Sequence, residues 1–256
     1  MKQPIDIVMI TWHRPEITEL TIRTIAANTK RDHYRLIVID NNSPEDMQEK
    51  LRQLQDEGLI DNLILNDTNR GLEPARNQGL EQVESDLFIC ADNDCLPERP
   101  SDGTDWVEKL VKLMNENPDY AAISARTQVM IGTGNIFEET EVNGDEITEF
   151  PHPGGSLRIM RTDAVRAVGG WRDSTGGRGT EERYICGLLR EQGHRTGFAT
   201  FICTLHLFGD RSKGTDRWGY PGDWAPDDTG HSDIWHPVLE RGDDPEEIAR
   251  YTDVRL

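Results

Sequence analysis

The sequence predicts an α/β fold, a sheet flanked by helices. Three observations carry this reading. Apolar runs of strand length alternate with stretches of helical spacing across residues 1–95. The strand candidates are apolar almost throughout, as buried strands are. Each of the first four leads into a polar cluster: Thr11-Trp12-His13-Arg14, Asp40-Asn41-Asn42-Ser43, Asn69-Arg70-Gly71 and Asp92-Asn93-Asp94. Open α/β sheets bind ligands beyond the carboxyl ends of their strands, so one sheet edge is marked as the place for chemistry.

The elements follow in order. Ile5–Thr11 (IDIVMIT) reads as a buried strand, and Pro15–Asn28 has helical spacing in Ile17, Leu20, Thr21, Thr24 and Ile25. Arg35–Asp40 is the second buried strand. Ser43 then reads as a helix cap, with Pro44 at the first position and Asp46 three residues after the cap. That helix runs to about Glu57, and Gly58 stops it. Leu63–Asn66 is a short third strand, Pro74–Val83 a helix opening at a proline, and Asp86–Ala91 a fourth strand. A helix from about Asp105 to Asn117 is stopped by Pro118, and a strand covers Tyr120–Ala125. Residues 127–150 are polar and weakly patterned, which predicts a loop or hairpin. Thr162–Val168 and Thr180–Gln192 read as helices and Thr196–Leu205 as the last strand. From Arg211 the chain is rich in Gly, Asp, Pro and Trp and reads as an extended arm or lid over 211–256. The domain expected is therefore 1–210, in two parts, 1–97 with the four polar clusters and 98–210.

A chain of 256 residues buries a core without help from disulfides. Net charge is -19, from 47 acidic and 28 basic residues, so direct nucleic-acid binding is not expected. Lysine is scarce, six against 22 arginines, which fits either a salt-adapted host or biased codon usage. No run approaches the ~18 apolar residues of a membrane span, and the N-terminus lacks a signal-peptide pattern. The four cysteines form no CxxC pair. Reduced thiols and a cytoplasmic location follow as expectations.

Asp92-Asn93-Asp94 is the sharpest local signal. Extended chain puts Asp92 and Asp94 on one side and Asn93 on the other. Two such carboxylates repel unless a cation sits between them, and a hard divalent ion with oxygen ligands does this well. A solvated turn before Cys95-Leu96-Pro97 is the plainer reading. Asp40-Asn41-Asn42-Ser43 alone reads as cap chemistry. Competing motifs are missing: no G-x-G-x-x-G after the first strand, no P-loop, no G-x-S-x-G elbow and no zinc spacing among the histidines.

Taken in order, IVMITWHRP, IVIDNNSPED, NRGLEPARNQG, the Asp92-Asn93-Asp94 triplet, GGSLRIMRTDAVRAVGGW, TEERYICGLLREQGHR and His206 before Phe208-Gly209 resemble the family 2 inverting glycosyltransferases over about residues 4–212. The resemblance implies an A-type nucleotide-diphospho-sugar transferase fold, with a Rossmann-like mixed sheet. It implies a nucleotide-diphospho-sugar donor, UDP-sugar favoured, and Mn²⁺ or Mg²⁺. The acceptor it implies is a glycan, lipid-linked, protein or small-molecule hydroxyl, reached through peripheral membrane contact if lipid-linked. By the same resemblance Thr11, His13 and Arg14 match the first nucleotide-contacting stretch, with His13 where the family usually has Asn. Asp40 matches the acid at the base, and Arg70, Arg76 and Asn77 lie around the nucleotide. Asp92, Asn93 and Asp94 match the metal and ribose motif, Asp94 as the better metal ligand and Asp92 nearer the ribose. Gly154-Gly155 matches a loop beside the donor sugar, and His206 a late metal ligand, a pairing with carboxylates that suits Mn²⁺.

The base region departs from the family pattern of Glu-Asp-x-Asp-Leu followed by a Gly eleven places after the first Asp. Gly193 stands eleven places after Glu182, so Glu181-Glu182 takes the Glu-Asp position and Tyr184 replaces the later Asp. Glu182 is the first choice of base and Glu181 the second. Both also read as first-turn helix carboxylates. Asp173, before Gly176-Gly177-Arg178-Gly179, is an alternative base or acceptor contact. Arg211 is a second helper for the diphosphate beside Arg70. Trp171, Trp218, Tyr220 and Trp224 are stacking candidates that read equally as packing. Two other functions stay open: a non-catalytic sugar-nucleotide or glycan-binding protein, and a sugar nucleotidyltransferase, although the triphosphate loop of the latter is not visible.

Overall fold

A computed structural model describes residues 3–127, 146–172, 180–207 and 245–254. In chain order the elements are β1 (Ile5–Thr11), α1 (Pro15–Asn28), β2 (Tyr34–Asp40), α2 (Glu45–Asp56), β3 (Asn62–Leu65), α3 (Leu72–Glu81), β4 (Leu87–Asp92), β5 (Cys95–Pro97), α4 (Trp106–Glu116), β6 (Tyr120–Thr127), β7 (Ile147–Glu149), β8 (Leu157–Arg161), α5 (Thr162–Ala167), α6 (Thr180–Glu191), β9 (Arg195–His206) and α7 (Pro245–Tyr251).

The nine strands among the described residues form one mixed sheet, ordered β3-β2-β1-β4-β8-β6-β9-β5 with β7 on β9. β3, β2, β1 and β4 run parallel, which explains their continuous apolar runs: helices cover both faces. Alternate residues feed two cores. Ile7, Met9, Leu36, Val38, Ile89 and Ala91 point toward α1, α2 and α4. Val8, Ile37, Ile39, Phe88 and Cys90 point toward α3, α5 and α6. The parallel register sets Thr11 beside Asp40 and Ile10 beside Asp92, so the polar clusters after these strands meet at one edge.

β9 bends at an irregularity between the Ala125–Ala199 and Arg126–Cys203 pairs. It stays paired with β6 as far as Thr204, and on its other side its last residues pair antiparallel with β5, placing His206 opposite Cys95.

Several expectations need correction. Pro44, not Ser43, holds the cap position of α2, and no side chain caps that end; the Ser43 hydroxyl is taken by Asp40. α3 opens at Leu72, two residues before Pro74. β5, β7 and β8 are strands that the sequence does not predict; β7 falls within 127–150 and pairs with β9 rather than in a hairpin, while 128–145 lie outside the described residues. Of the expected arm over 211–256, residues 211–244 lie outside the described residues, and 245–251 form a helix. α7 returns to the body, where Tyr251 joins Ile17, Leu20, Leu96, Leu205 and Leu207 in a third apolar cluster, and the Asn28 amide donates to the Tyr251 carbonyl at 2.8 Å.

α3 lies close enough to the sheet that a methyl on Gly79 would collide with Val8 Cγ1, itself buried. Overpacking of this kind costs about 1–3 kcal/mol, less the ~1 kcal/mol that Ala gains over Gly in a helix. Gly79→Ala should therefore cost up to a net ~2 kcal/mol of stability, read as a lower urea midpoint. Combined with Val8→Ala, the loss should be smaller than the two single losses summed, since the second change removes the colliding group.

Candidate active site

The four polar clusters are wired to one another. The Thr11 hydroxyl donates to Asp40 Oδ1 at 3.0 Å, the His13 amide to Ser43 Oγ at 2.8 Å, and the Asn41 amide to Asn69 Oδ1 at 2.7 Å. The Arg70 backbone N–H in turn donates to Asn41 Oδ1 at 2.9 Å. Asp40 is fully buried, and its oxygens also accept from the Ser43 amide and hydroxyl. It is turned inward as the organiser of these loops, and presents no surface to the edge. His13 and Arg14 are both left-handed, at φ 58° and 66°. That backbone is uncommon for residues with side chains and clusters at functional loops. It starts α1 at once and swings Arg14 toward Asp94.

Asp94 is held by a guanidinium and an imidazole. Arg14 Nη1 lies 2.7 Å from Oδ2 and His206 Nε2 3.3 Å from Oδ1. Burial works to raise its proton affinity, yet His206 and Arg14 outweigh it and keep the carboxyl well below the usual range. Asp92 pairs with Arg76 Nη2 at 2.9 Å. Burial raises its proton affinity; Arg76 opposes and Asp94 adds to the rise. Asn93 turns away to donate to Thr18 Oγ1 at 2.8 Å.

Asp94, His206 and the buried Cys95 bring ligand atoms within 4.8 Å of one another. A carboxylate and an imidazole side by side, with a second carboxylate at Asp92, suit a divalent cation such as Mn²⁺, so this donor set fits the metal the sequence implied. Cys95 is not singled out by the sequence, where it reads as one of four reduced thiols, just after a turn.

Behind Asp92 lies a buried charge cluster. Arg76 and Arg158 both point at Glu181 Oε1, at 3.2 Å and 3.0 Å, and all three side chains are at most 4% exposed. Burial would raise the Glu181 carboxyl, but the two arginines hold it below its ordinary value. Glu182 is raised, first by burial and then by Glu181 beside it, with Arg158 opposing. Gly155 packs onto this cluster; a Cβ there would stand 3.4 Å from both Arg76 Nη2 and Glu182 Oε1.

Two residues expected around the nucleotide face inward. Arg76 is spent on Asp92 and Glu181. The Asn77 amide is locked onto the Trp171 backbone, accepting from its N–H at 2.8 Å and donating to its carbonyl at 2.5 Å. Trp171 is itself buried. Arg70 is exposed and lines a cleft of about 360 Å³ with Pro74, Asn77, Gln78, Glu81 and Trp171. Asp173, Gly176–Gly179, Arg211, Trp218, Tyr220 and Trp224 lie outside the described residues. Arg158 escaped the sequence reading, since an arginine inside LRIMR carries no signal beyond interrupting an apolar run.

Residues 6–172 match the model of Glycosyl transferase family 2. The chain belongs to this family. Among curated proteins it is similar to the glucosyl-dolichyl phosphate glucuronosyltransferase of Haloferax volcanii, at 26% identity over 75% of this chain. It is also similar to glycosyltransferase AglE of the same organism, at 24% identity over 62% of this chain. It spans 64% and 44% of the lengths of these two relatives. Among solved structures it resembles the mannosyltransferase PcManGT of Pyrobaculum calidifontis in complex with GDP-Man and Mn²⁺, with TM-score 0.66, 15% identity and coverage of 97% of this chain and 69% of that one. It also resembles GalNAc-T7 with UDP, GalNAc and Mn²⁺, with TM-score 0.63, 16% identity and coverage of 80% and 44%. The family 2 chain therefore has the A-type glycosyltransferase fold. No described helix is long and apolar enough to cross a membrane.

Removing their shared carboxylate leaves Arg158 without its buried ion-pair partner and Arg76 with Asp92 alone. Glu181→Gln should destabilise the protein by about 3 kcal/mol or more in urea unfolding. Because Glu181 is lowered in the folded state, its contribution is full above the unfolded-state value of about 4.3 and fades as pH falls through the folded one. Glu181→Gln should flatten that acid limb of the stability curve.

Proposed function

We propose that this chain transfers a sugar from a nucleotide-diphospho-sugar to an acceptor hydroxyl by a single inverting displacement. The observation that carries the reading is one sheet edge holding both the Asp94–His206 pair and, across Gly155, the Glu181–Glu182 pair. Its support is family membership and a fold shared with proteins whose structures contain UDP or GDP-Man together with Mn²⁺.

Asp94 and His206, with Asp92 beside them, would hold a divalent cation, whose chemistry is to neutralise the diphosphate as it leaves. Arg70, exposed at the same edge, adds positive charge for the diphosphate. Glu182 acts as the base. Its raised proton affinity lets it accept a proton without standing permanently paired. It takes the acceptor's hydroxyl proton, the oxygen forms a bond to the anomeric carbon, and the bond from that carbon to the diphosphate breaks on the opposite face. Glu181 is engaged by two arginines and serves as structure rather than base. The Haloferax relative's name puts a glucuronosyl donor and a dolichyl-phosphate-linked acceptor among the substrates to try.

Nucleoside diphosphate release from a panel of UDP-, GDP- and dTDP-sugars, each with Mn²⁺, Mg²⁺ or EDTA, tests the reading. Release from one donor should require metal and be lost in Asp94→Asn. Glu182→Gln should lower turnover by roughly a hundredfold or more, the usual worth of a general base. Full turnover in Glu182→Gln would show that another acid is the base. Metal-dependent nucleotide binding without release from any donor would favour a binding protein instead.

A further inference from the structure

Arg158 sits in the middle of β8, with no exposed side-chain surface. Its register partners are Cys90 on β4 and Ser124 on β6, so it stands in the interior of the sheet. A charge there is expensive, and well-packed apolar residues in place of Arg158 and its buried partners together would serve stability as well or better. Its contacts suggest why the arginine is used. Nη2 donates to Glu181 Oε1 at 3.0 Å, and Nη1 to the Pro153 carbonyl at 3.3 Å. Its register partner Ser124 donates to the adjoining Gly154 carbonyl. Two paired strand residues thus hold two successive carbonyls of the loop that ends at Gly155, and one of them also holds the first glutamate of α6.

We propose that Arg158 is a positioning residue of the active site: by clamping Glu181 and the Pro153 carbonyl together, it sets Glu182 against the loop at Gly154 and Gly155. The inference rests on Glu182 being the base. A planar fork reaches two acceptors at once, which an ammonium does less well. Arg76 also holds Glu181, through Nε at 3.2 Å, but its Nη2 is committed to Asp92, and it is Arg158 that ties Glu181 to the Pro153 carbonyl. The electrostatics agree. Glu181 and Asp92 favour the protonated form of Glu182, Arg158 opposes them, and Arg76 faces Glu182 as a second positive group.

The test compares Arg158→Met and Arg158→Lys with wild type and Glu182→Gln. Three readouts are taken: thermal stability, kcat and KM for metal-dependent release from the donor found in the panel, and the titration of Glu182 by NMR of ¹³C-carboxyl-labelled glutamate. The Glu182 signal is assigned by its loss in Glu182→Gln. Arg158→Met should leave donor KM within about twofold and lower kcat roughly ten- to hundredfold, the scale of a misplaced catalytic group. The Glu182 titration should move to higher pH, because a positive neighbour is gone. Arg158→Lys should recover the titration and part of kcat. Wild-type kcat and an unmoved titration in folded Arg158→Met would overturn the proposal. If that variant does not fold, wild-type kcat in Arg158→Lys would overturn it. The titration needs no turnover, so it stands apart from the base assignment, which fails instead if Glu182→Gln is fully active.

Discussion

Charge taken out of water has to be matched at short range, and the mouth of this sheet holds a great deal of it. β4 delivers Asp92 and Asp94 straight from an apolar strand, and α6 adds Glu181 and Glu182. Arg14 and His206 meet Asp94, Arg76 meets Asp92, and Arg76 with Arg158 meets Glu181. Each partner comes from a different element: the loop after β1, the end of β9, α3 and β8. The loops at this edge therefore share one electrostatic problem. A change in any of them alters the balance at the others.

The division of labour between the two glutamates follows from that balance. They are neighbours in sequence, yet one faces two guanidinium groups and the other faces mostly carboxylates. Their proton affinities are driven apart, as happens wherever two acids in one site take different roles.

Much of the frame was legible because its strands obey a simple rule. β1, β2 and β4 are buried on both faces and so are unbroken apolar runs. β8 hid because Arg158 and Arg161 interrupt its pattern, and both are bound to protein groups that no local rule reveals. β5 is only three residues, and its sole strand partner is β9, more than a hundred residues later. Ser43 looked like a cap, but Asp40 claims its hydroxyl across the turn. At the site, Arg14, Asp94 and His206 were visible through the order of motifs, although their meeting depends on a pairing between distant segments. The inward facing of Arg76, Asn77 and Asp40 was hidden for a different reason. A polar residue at a strand or helix end reads alike whether it faces a ligand or holds a loop.

The bend of β9 also bears on how the protein is made. Thr204 bonds the Leu96 carbonyl across 108 residues of sequence, and Asn28 bonds Tyr251 across 223. The parallel strands and their helices leave the ribosome well before these partners. During synthesis Asp94 has Arg14 within reach but not yet His206, and Glu181 arrives only after both of its arginines. The first half of the sheet can thus form around a mouth whose charges are still unmatched. Loop-closure entropy makes such distant pairings slow to settle, so the contact between Asp94 and His206 waits until β9 has emerged and found β5.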